Sequence, residues 1–134
     1  MADRVTMLFV YGTLMPSGGN YHRIERHVRR ARPATISGVL VSLGAFPALV
    51  PGDGIVRGVV LDIDPDGLLI TDQVEGHRPD ARACFYQRQK VEIRLDDGGT
   101  LRGWTYFYGR PVSVSDCRRL VVGEQDGVPI YAWR

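Results

Sequence analysis

The sequence is poor in the residues on which several classes of protein depend. Its 134 residues include only two cysteines, three histidines and a single lysine, Lys90. Cys84 and Cys117 are far apart and lack metal-binding spacing, which argues against both a disulfide framework and a metal cluster. The net charge of +2 gives no electrostatic reason to expect binding to nucleic acid or to a membrane surface.

Long hydrophobic runs are also missing from the sequence. The longest apolar-rich stretch, residues 36–50, is interrupted by glycine, serine and proline and is too short to span a bilayer. The first apolar segment follows Asp3 and Arg4 and ends at Gly12 without the small-residue cleavage site of a secretory signal. With 44% hydrophobic and 24% charged residues, we expect one soluble, cytoplasmic domain over residues 1–134.

Apolar periodicity and turn residues predict a strand-rich mixed α/β fold with at least one antiparallel pair. Asn20 is expected to cap a helix over 21–31, with arginines on its exposed face. Asp64 and Pro65 start a second helix that ends at Glu75 before Gly76. We predict strands at 6–11, 35–43, 55–63, 85–95 and 100–108. Turn residues at 51–54 are expected to precede the strand at 55–63, and those at 96–99 to form a hairpin turn. A strand with a helical turn is expected within 112–122.

Glu75 is the first residue whose position suggests chemistry. A carboxylate in the last turn of a helix faces the negative end of the helix dipole, where stability favours a cation. That field and nearby apolar groups such as Val74 raise the proton affinity of the carboxylate toward neutral pH, as general acid–base catalysis requires. The plainer interpretation is an idle, solvated residue at a helix end.

The segment VYGTLMPSGG, residues 10–19, runs from a buried strand into two glycine-containing turns. Gly12 permits positive φ and lets another molecule approach the main chain, so successive N–H groups can form a trap for an anion or a carbonyl. An ordinary tight turn is the alternative interpretation. A phosphate loop is excluded because no Gly-Lys-Ser/Thr follows at the required spacing.

The ordered set of motifs resembles the gamma-glutamylcyclotransferase-like family, including its gamma-glutamylamine cyclotransferase branch. The resemblance covers roughly residues 7–108. The matching segments are VYGTL at 10–14, GGN at 18–20, GAFPALV at 44–50, VRGVVLDI at 56–63, DQVEG at 72–76, YQR at 86–88 and WTYFY at 104–108.

The resemblance implies a small barrel-like mixed sheet around one cavity, flanked by helices. It further implies cleavage of a small gamma-glutamyl amide to 5-oxoproline and a free amine, without metal or organic cofactor. Glu75 would be the general acid/base, and the substrate would contact the site residues Tyr11, Gly12, Thr13, Leu14, Tyr86 and Tyr106.

This reaction is compatible with the chemistry of those residues. The substrate carries its own nucleophile, an α-amine that reaches the γ-carbonyl and closes a five-membered ring. Glu75 would take a proton from the α-ammonium group and return one to the departing amine. Backbone N–H groups of the glycine turn would stabilise charge on the γ-oxygen.

Several side chains near these motifs have two interpretations. Tyr86 either hydrogen-bonds substrate, orients Glu75 or packs in its strand. Trp104, Tyr106 and Tyr108 share one strand face, and Tyr106 is the expected cavity contact. Arg88 either pairs bidentately with a carboxylate or lies exposed.

The segment between Glu75 and Tyr86 is longer than in much of the family. Because of this difference, the resemblance does not determine which amine is released. His77, Arg78, Asp80 and Arg82 are expected to decorate this loop near the cavity mouth. A thiol enzyme using Cys84 and His77 is a weaker alternative. His22 and His27 are five residues apart, which does not suggest a zinc site.

Two further alternatives stay open. The arginine-rich segment 22–32 could contact RNA, a phosphate or a protein. A non-catalytic small-molecule binding protein or sensor could use the same pocket. The sequence does not indicate the oligomeric state.

Overall fold

The computed structural model describes residues 5–76, 86–109 and 117–133. Within them lie seven β-strands, one α-helix and two short 3-10 helices, Tyr21–Arg23 and Glu25–His27. The larger elements are β1 (Thr6–Val10), β2 (Val28–Ser42), β3 (Pro47–Ile63), α1 (Pro65–Glu75), β4 (Tyr86–Leu95), β5 (Thr100–Tyr108), β6 (Val121–Gln125) and β7 (Val128–Tyr131).

Five strands form a closed barrel. The sheet order is β1-β5-β4-β2-β3, and a further pairing of β1 with β3 closes the ring. The β1–β5 pair is parallel, whereas the other barrel pairs are antiparallel. The predicted barrel-like mixed sheet is therefore confirmed, but the expectation of several flanking α-helices is wrong for the described residues, which contain only α1.

Strand β1 is apolar on both faces because both faces are buried. Phe9 lies in the cluster that fills the barrel, together with residues of β2, β3, β4 and β5. Leu8 and Val10 point the other way, into a second cluster that includes Ile63 and the apolar side of α1. The period-two alternation of a strand thus places consecutive apolar residues in two different cores.

A long hairpin of β2 and β3 supplies most of the barrel wall. The register runs from Ser42 opposite Pro47 to Val28 opposite Ile63, with an irregularity between Ser37 and Val39. Opposite that point, residues 51–54 of β3 have no pairing partner on β2, as in a β-bulge. The Pro-Gly-Asp-Gly cluster there does not end the strand as predicted; it interrupts the pairing within one strand.

Helix α1 starts and ends at the predicted residues. The Asp64 side chain accepts a hydrogen bond from the Gly67 amide at 2.8 Å, and Pro65 occupies the first helical position. Gly76 closes the helix in the left-handed conformation, with φ of 69°. These caps fix which residue is last in the helix, and that residue is Glu75.

The helix predicted over 21–31 is wrong. Ile24 is fully buried, as its apolar spacing suggested, but the chain reaches it through 3-10 turns. From Val28 onward the backbone pairs with β3, so the basic segment is a strand rather than a helical face. Pairing with a neighbouring strand outweighs a weak local helix preference.

The C-terminal part of the described chain extends the sheet. Residues 118–120 lie along the end of β2, where the Leu120 amide donates to the Leu40 carbonyl at 3.0 Å. Strands β6 and β7 then form a hairpin through Asp126 and Gly127, and β7 pairs in parallel with β3. Residues 112–116 of the segment predicted as strand and helical turn, 112–122, lie outside the described residues, and the β6–β7 hairpin was not predicted.

No helix among the described residues is long and apolar enough to cross a bilayer.

Replacing Asp64 tests the capping of α1. Its carboxylate also lies 3.0 Å from His27 Nδ1, and the Gly67 amide, followed by His27, lowers the pKa of Asp64. We expect Asp64→Ala to reduce the free energy of unfolding by about 1–2 kcal/mol at pH 7, measured in urea. Because the folded-state pKa of Asp64 is lowered, this loss should vanish as the pH falls through it.

The matched control is Asp66→Ala, since Asp66 is exposed in the first turn of the same helix. Equal losses for the two variants, or a loss at Asp64 that persists in acid, would contradict the capping role.

Candidate active site

One end of the barrel opens into a cavity of about 400 Å³. Its walls come from the end of β1, the loop after it, the β2–β3 turn, the last turn of α1 and the ends of β4 and β5. The lining side chains are largely apolar or aromatic; they are Phe9, Val10, Tyr11, Gly12, Thr13, Leu14, Asn20, Leu43, Phe46, Pro47, Gln73, Val74, Glu75, Gly76, Tyr86, Tyr106 and Tyr108. All seven residues expected at the site from sequence lie in this one cavity.

Close approach, rather than a left-handed backbone, accounts for the glycines at positions 12 and 18. A Cβ on Gly12 would lie 3.2 Å from the Pro47 ring, and one on Gly18 would lie 2.3 Å from the Thr13 carbonyl oxygen. Neither glycine has a positive φ, so the expectation that Gly12 serves through positive φ is wrong. The loop is instead folded tightly on itself and against the start of β3.

Hydrogen bonds hold the loop in this shape. Met15 donates its amide to the Gly12 carbonyl at 3.0 Å, and Asn20 donates both its amide and its side chain to Thr13, at 2.9 and 2.8 Å. In the described part of the chain, the donors of these loop bonds do not include the amides of Gly12, Thr13 and Leu14. Those amides belong to residues that line the cavity.

Glu75 faces the same cavity from the end of α1. The Glu75 residue as a whole is partly exposed, but protein atoms surround its carboxyl group. This burial of the carboxyl raises the pKa of Glu75 from 4.5 to about 7. Within the described residues, no hydrogen bond or ion pair stabilises its charged form. Loss of hydration is therefore the cause of the raised pKa, as expected for a carboxyl beside apolar groups.

Two tyrosines lie close to this carboxyl. Burial raises the pKa of the Tyr11 hydroxyl, and the charge of Glu75 raises it further. The pKa of Tyr86 is raised in the same way, by burial and then by Glu75. Both phenols therefore stay protonated at neutral pH, and Glu75 is the acidic group of this cavity that titrates there.

Asp72, one turn before Glu75 on α1, joins the helix to the barrel. Tyr106 of β5 donates its hydroxyl hydrogen bond to Asp72 Oδ1 at 2.6 Å, and Arg88 Nε of β4 lies 3.0 Å from the same oxygen. Thr71 Oγ1 is 2.7 Å from the Tyr106 hydroxyl. Asp72 and Thr71 are buried, so this network is shielded from solvent.

Sequence reasoning missed Asp72 and Thr71 as supporting residues. Asp72 precedes Glu75 by three residues, which places both on one side of a helix. That spacing was a usable signal. Of the two interpretations of Arg88, pairing with a carboxylate is confirmed.

The hydroxyls of Tyr11 and Tyr86 have protein partners. Tyr86 donates to the Pro47 carbonyl at 2.6 Å, and Tyr11 donates to the Tyr106 carbonyl at 2.5 Å. These two hydrogen bonds fix the positions of the Tyr11 and Tyr86 rings, which line the cavity. Trp104 packs against the second cluster, which contains Leu8, Val10 and Ile63. The charged groups of Arg88 and Lys90 lie over its ring, at 4.6 and 4.8 Å from the centroid.

The structure does not describe most of the remaining candidates. His77, Arg78, Asp80, Arg82 and Cys84 lie outside the described residues. His27 pairs with Asp64 at the start of α1, away from the last turn. Among the described side chains, no cluster of three or more His, Cys, Asp or Glu is arranged to hold a metal ion.

Comparison with known proteins identifies the family of this chain. Residues 8–127 match the model of the family described as gamma-glutamyl cyclotransferase, AIG2-like. The gamma-L-glutamyl-butirosin B gamma-glutamyl cyclotransferase of Niallia circulans is 33% identical over 107 residues, which cover 77% of this chain and 67% of that protein.

Two solved structures have the same fold. YkqA from Bacillus subtilis superposes with a TM-score of 0.63 and 27% identity. The match covers 78% of this chain but only 36% of YkqA. An AIG2-like protein from Mus musculus superposes with a TM-score of 0.64 and 23% identity, covering 81% of this chain and 80% of the mouse chain. The chain belongs to the AIG2-like gamma-glutamyl cyclotransferase family and is an enzyme of the gamma-glutamylcyclotransferase type.

The raised pKa of Glu75 predicts a specific pH dependence of stability. A folded-state pKa of about 7 against 4.5 means that the native state holds a proton which the unfolded chain has lost. The contribution of Glu75 to stability should therefore fall as the pH rises from about 4.5 to 7. The free energy of unfolding of Glu75→Gln, relative to wild type, should rise by something on the order of 3 kcal/mol between pH 4 and pH 8.

Urea unfolding at a series of pH values measures this difference, with Glu92→Gln as the control because Glu92 is exposed on β4. A difference between Glu75→Gln and wild type that does not change with pH would show that Glu75 titrates normally.

The Asp72 network predicts the effect of removing one hydroxyl. Tyr106→Phe deletes the donor to a buried carboxylate, so we expect unfolding to become easier by about 1.5–3 kcal/mol. Tyr108→Phe lies on the same strand and lines the same cavity, and it should cost about 0.5 kcal/mol or less. Thermal or urea unfolding at pH 7 compares them, and similar losses would argue against a special role for Tyr106.

Proposed function

We propose that this protein converts a gamma-glutamyl amide into 5-oxoproline and a free amine, with Glu75 as the general acid/base. The observation that supports this most strongly is that one cavity combines a carboxyl of pKa about 7 with the glycine loop after β1. A carboxyl that titrates near neutral pH both accepts and donates protons under working conditions.

In this proposal the loop residues Tyr11, Gly12, Thr13 and Leu14 bind the glutamyl part of the substrate. The close packing of Gly12 against Pro47 keeps the loop backbone near the cavity wall. The amides of Gly12, Thr13 and Leu14 supply N–H donors for the α-carboxylate and the γ-carbonyl oxygen. Tyr86 and Tyr106 contact the folded-back substrate through their rings.

The proton transfers balance on one side chain. The Glu75 carboxylate takes a proton from the substrate α-ammonium, and the freed amine attacks the γ-carbonyl carbon to form a tetrahedral oxyanion. The protonated Glu75 then gives its proton to the amide nitrogen as the C–N bond breaks. Glu75 next takes the second proton that the ring nitrogen still carries and passes it to the departing amine, which leaves as an ammonium ion. 5-Oxoproline and the amine leave, and Glu75 returns to its carboxylate form, so each turnover consumes only the substrate.

Ring closure within one molecule reduces what the protein must supply. Both reacting groups belong to the substrate, so the barrier depends on holding the folded-back conformer and stabilising the oxyanion. An apolar cavity strengthens both the hydrogen bonds from loop amides and the basicity of Glu75. A non-catalytic sensor would have no use for a carboxyl poised near neutral pH, and we do not favour that alternative.

The first test is Glu75→Gln, which keeps the shape of the side chain but cannot accept a proton. We expect 5-oxoproline formation from gamma-glutamyl amides to fall at least about 10²-fold, since general acid–base groups contribute 10²–10⁴-fold. Ligand binding, measured by calorimetry with the same amide, should remain within a few-fold of wild type. Glu92→Gln is the control and should retain full turnover.

Turnover by Glu75→Gln at the wild-type rate would exclude the proposed role of Glu75. Binding of gamma-glutamyl amides by the wild-type protein without any product would favour the sensor instead.

The pH profile gives a second test of the same role. Because burial raises the pKa of Glu75 to about 7, kcat/KM should fall tenfold per pH unit in acid below about pH 7. An acid limb near pH 4.5, the ordinary value for a glutamate, would mean that another group or a normally ionised Glu75 limits the reaction.

A further inference from the structure

Gly12, in the glycine loop after β1, packs against side chains from two distant parts of the chain. A Cβ on Gly12 would lie 3.2 Å from the Pro47 ring and 3.9 Å from Trp133 Cε3. Gly12 and Pro47 line the cavity, whereas Trp133 is not among the lining residues. We propose that Trp133 is a positioning residue, which packs against the loop from outside the cavity and holds it in the conformation that binds the glutamyl group. This inference rests on the proposed function.

Strand β7 fixes the place of Trp133. Tyr131 pairs with Val56 of β3 and is only 1% exposed, so the end of β7 is anchored in the barrel. The Ala132 amide then donates to the Leu120 carbonyl at 3.0 Å. The backbone directly before Trp133 is therefore held on both of its sides. Trp133 lies beyond residue 127, where the match to the family model ends, so the family motifs do not imply its role.

The Trp133 ring adjoins the barrel core where the loop begins. Trp133 is partly buried against the cluster that includes Phe9 and Tyr11, whose rings stack with centroids 6.5 Å apart. Gly12 follows Tyr11 directly, so Trp133 supports the first residue of the loop beyond that cluster. A tryptophan ring buries a large, rigid apolar surface, and its close packing favours one arrangement of the backbone beside it.

The loop needs such support because its own hydrogen bonds determine only its internal shape. Met15 donates to the Gly12 carbonyl, and Asn20 donates to Thr13, all within the loop. At the far end, Leu14 is 1% exposed in the second cluster. At the near end, packing on Pro47 and Trp133 determines how far the amides of Gly12 and Thr13 lie from the substrate.

Replacing Trp133 should therefore weaken contacts to the glutamyl group, which every substrate shares. We expect Trp133→Ala to lower kcat/KM for 5-oxoproline formation about tenfold or more, since a misplacement of about 1 Å can cost 10²-fold. The loss should be the same, within about threefold, for gamma-glutamyl-methylamide, gamma-glutamyl-phenethylamide and gamma-glutamyl-alanine, because their glutamyl part is identical. The acid limb of the pH profile should stay near pH 7, because α1 positions Glu75.

Two further variants separate positioning of the loop from general stability. Trp133→Phe keeps an aromatic ring and should restore most of the lost kcat/KM. Leu120→Ala is the matched control, since Leu120 packs against the same cluster and is not among the residues that line the cavity. It should unfold at lower urea than wild type but keep kcat/KM within about twofold. If Trp133→Ala does not fold, Trp133→Leu takes its place.

The outcomes distinguish this inference from the proposed function. A loss for Trp133→Ala no greater than for Leu120→Ala, a loss confined to one of the three amides, or a displaced acid limb overturns the inference and leaves the proposed function standing. If the wild-type protein forms no 5-oxoproline from any of the three amides, the proposed function fails and this inference fails with it.

Discussion

The hydrogen bond from the Tyr106 hydroxyl to the Asp72 carboxylate connects the two parts of this molecule that must stay in register. Helix α1 lies against the barrel mainly through modest apolar contacts, and Asp72 anchors it to β5 and, through Arg88, to β4. A hydrogen bond to a buried charged group contributes more than a neutral one. Because Glu75 follows Asp72 by one turn, the same bond determines where the Glu75 carboxyl lies in the cavity.

Asp72 and Glu75, which lie in one short motif of this helix, have opposite environments. Asp72 has a cation and a hydroxyl donor beside it, whereas Glu75 has apolar walls and two aromatic rings. Loss of hydration without compensating partners costs stability above neutral pH, and it gives Glu75 the proton affinity that acid–base chemistry needs. The protein accepts a local loss of stability at the place where the proposed reaction uses it.

Local signals predicted those parts of the fold whose structure is decided locally. The start and end of α1 follow from Asp64 and Gly76, and the antiparallel pair of β4 and β5 follows from its turn. The segment 21–31 was mispredicted because a partner strand distant in the chain decides its conformation. The role of Gly12 was also misjudged, since it depends on contact with Pro47, which the sequence does not reveal. The cavity residues themselves were predicted together because the family motifs carry them.

A direct titration of the Glu75 carboxyl tests the central physical claim of this account. Carboxyl carbon NMR of protein labelled at glutamate, with Glu75→Gln identifying the Glu75 signal, follows its ionisation without relying on turnover or unfolding. We expect a midpoint near pH 7, because the cavity excludes water from this group. A midpoint near 4.5 would mean that the carboxyl is hydrated in solution, and the site described here would lose its acid–base group.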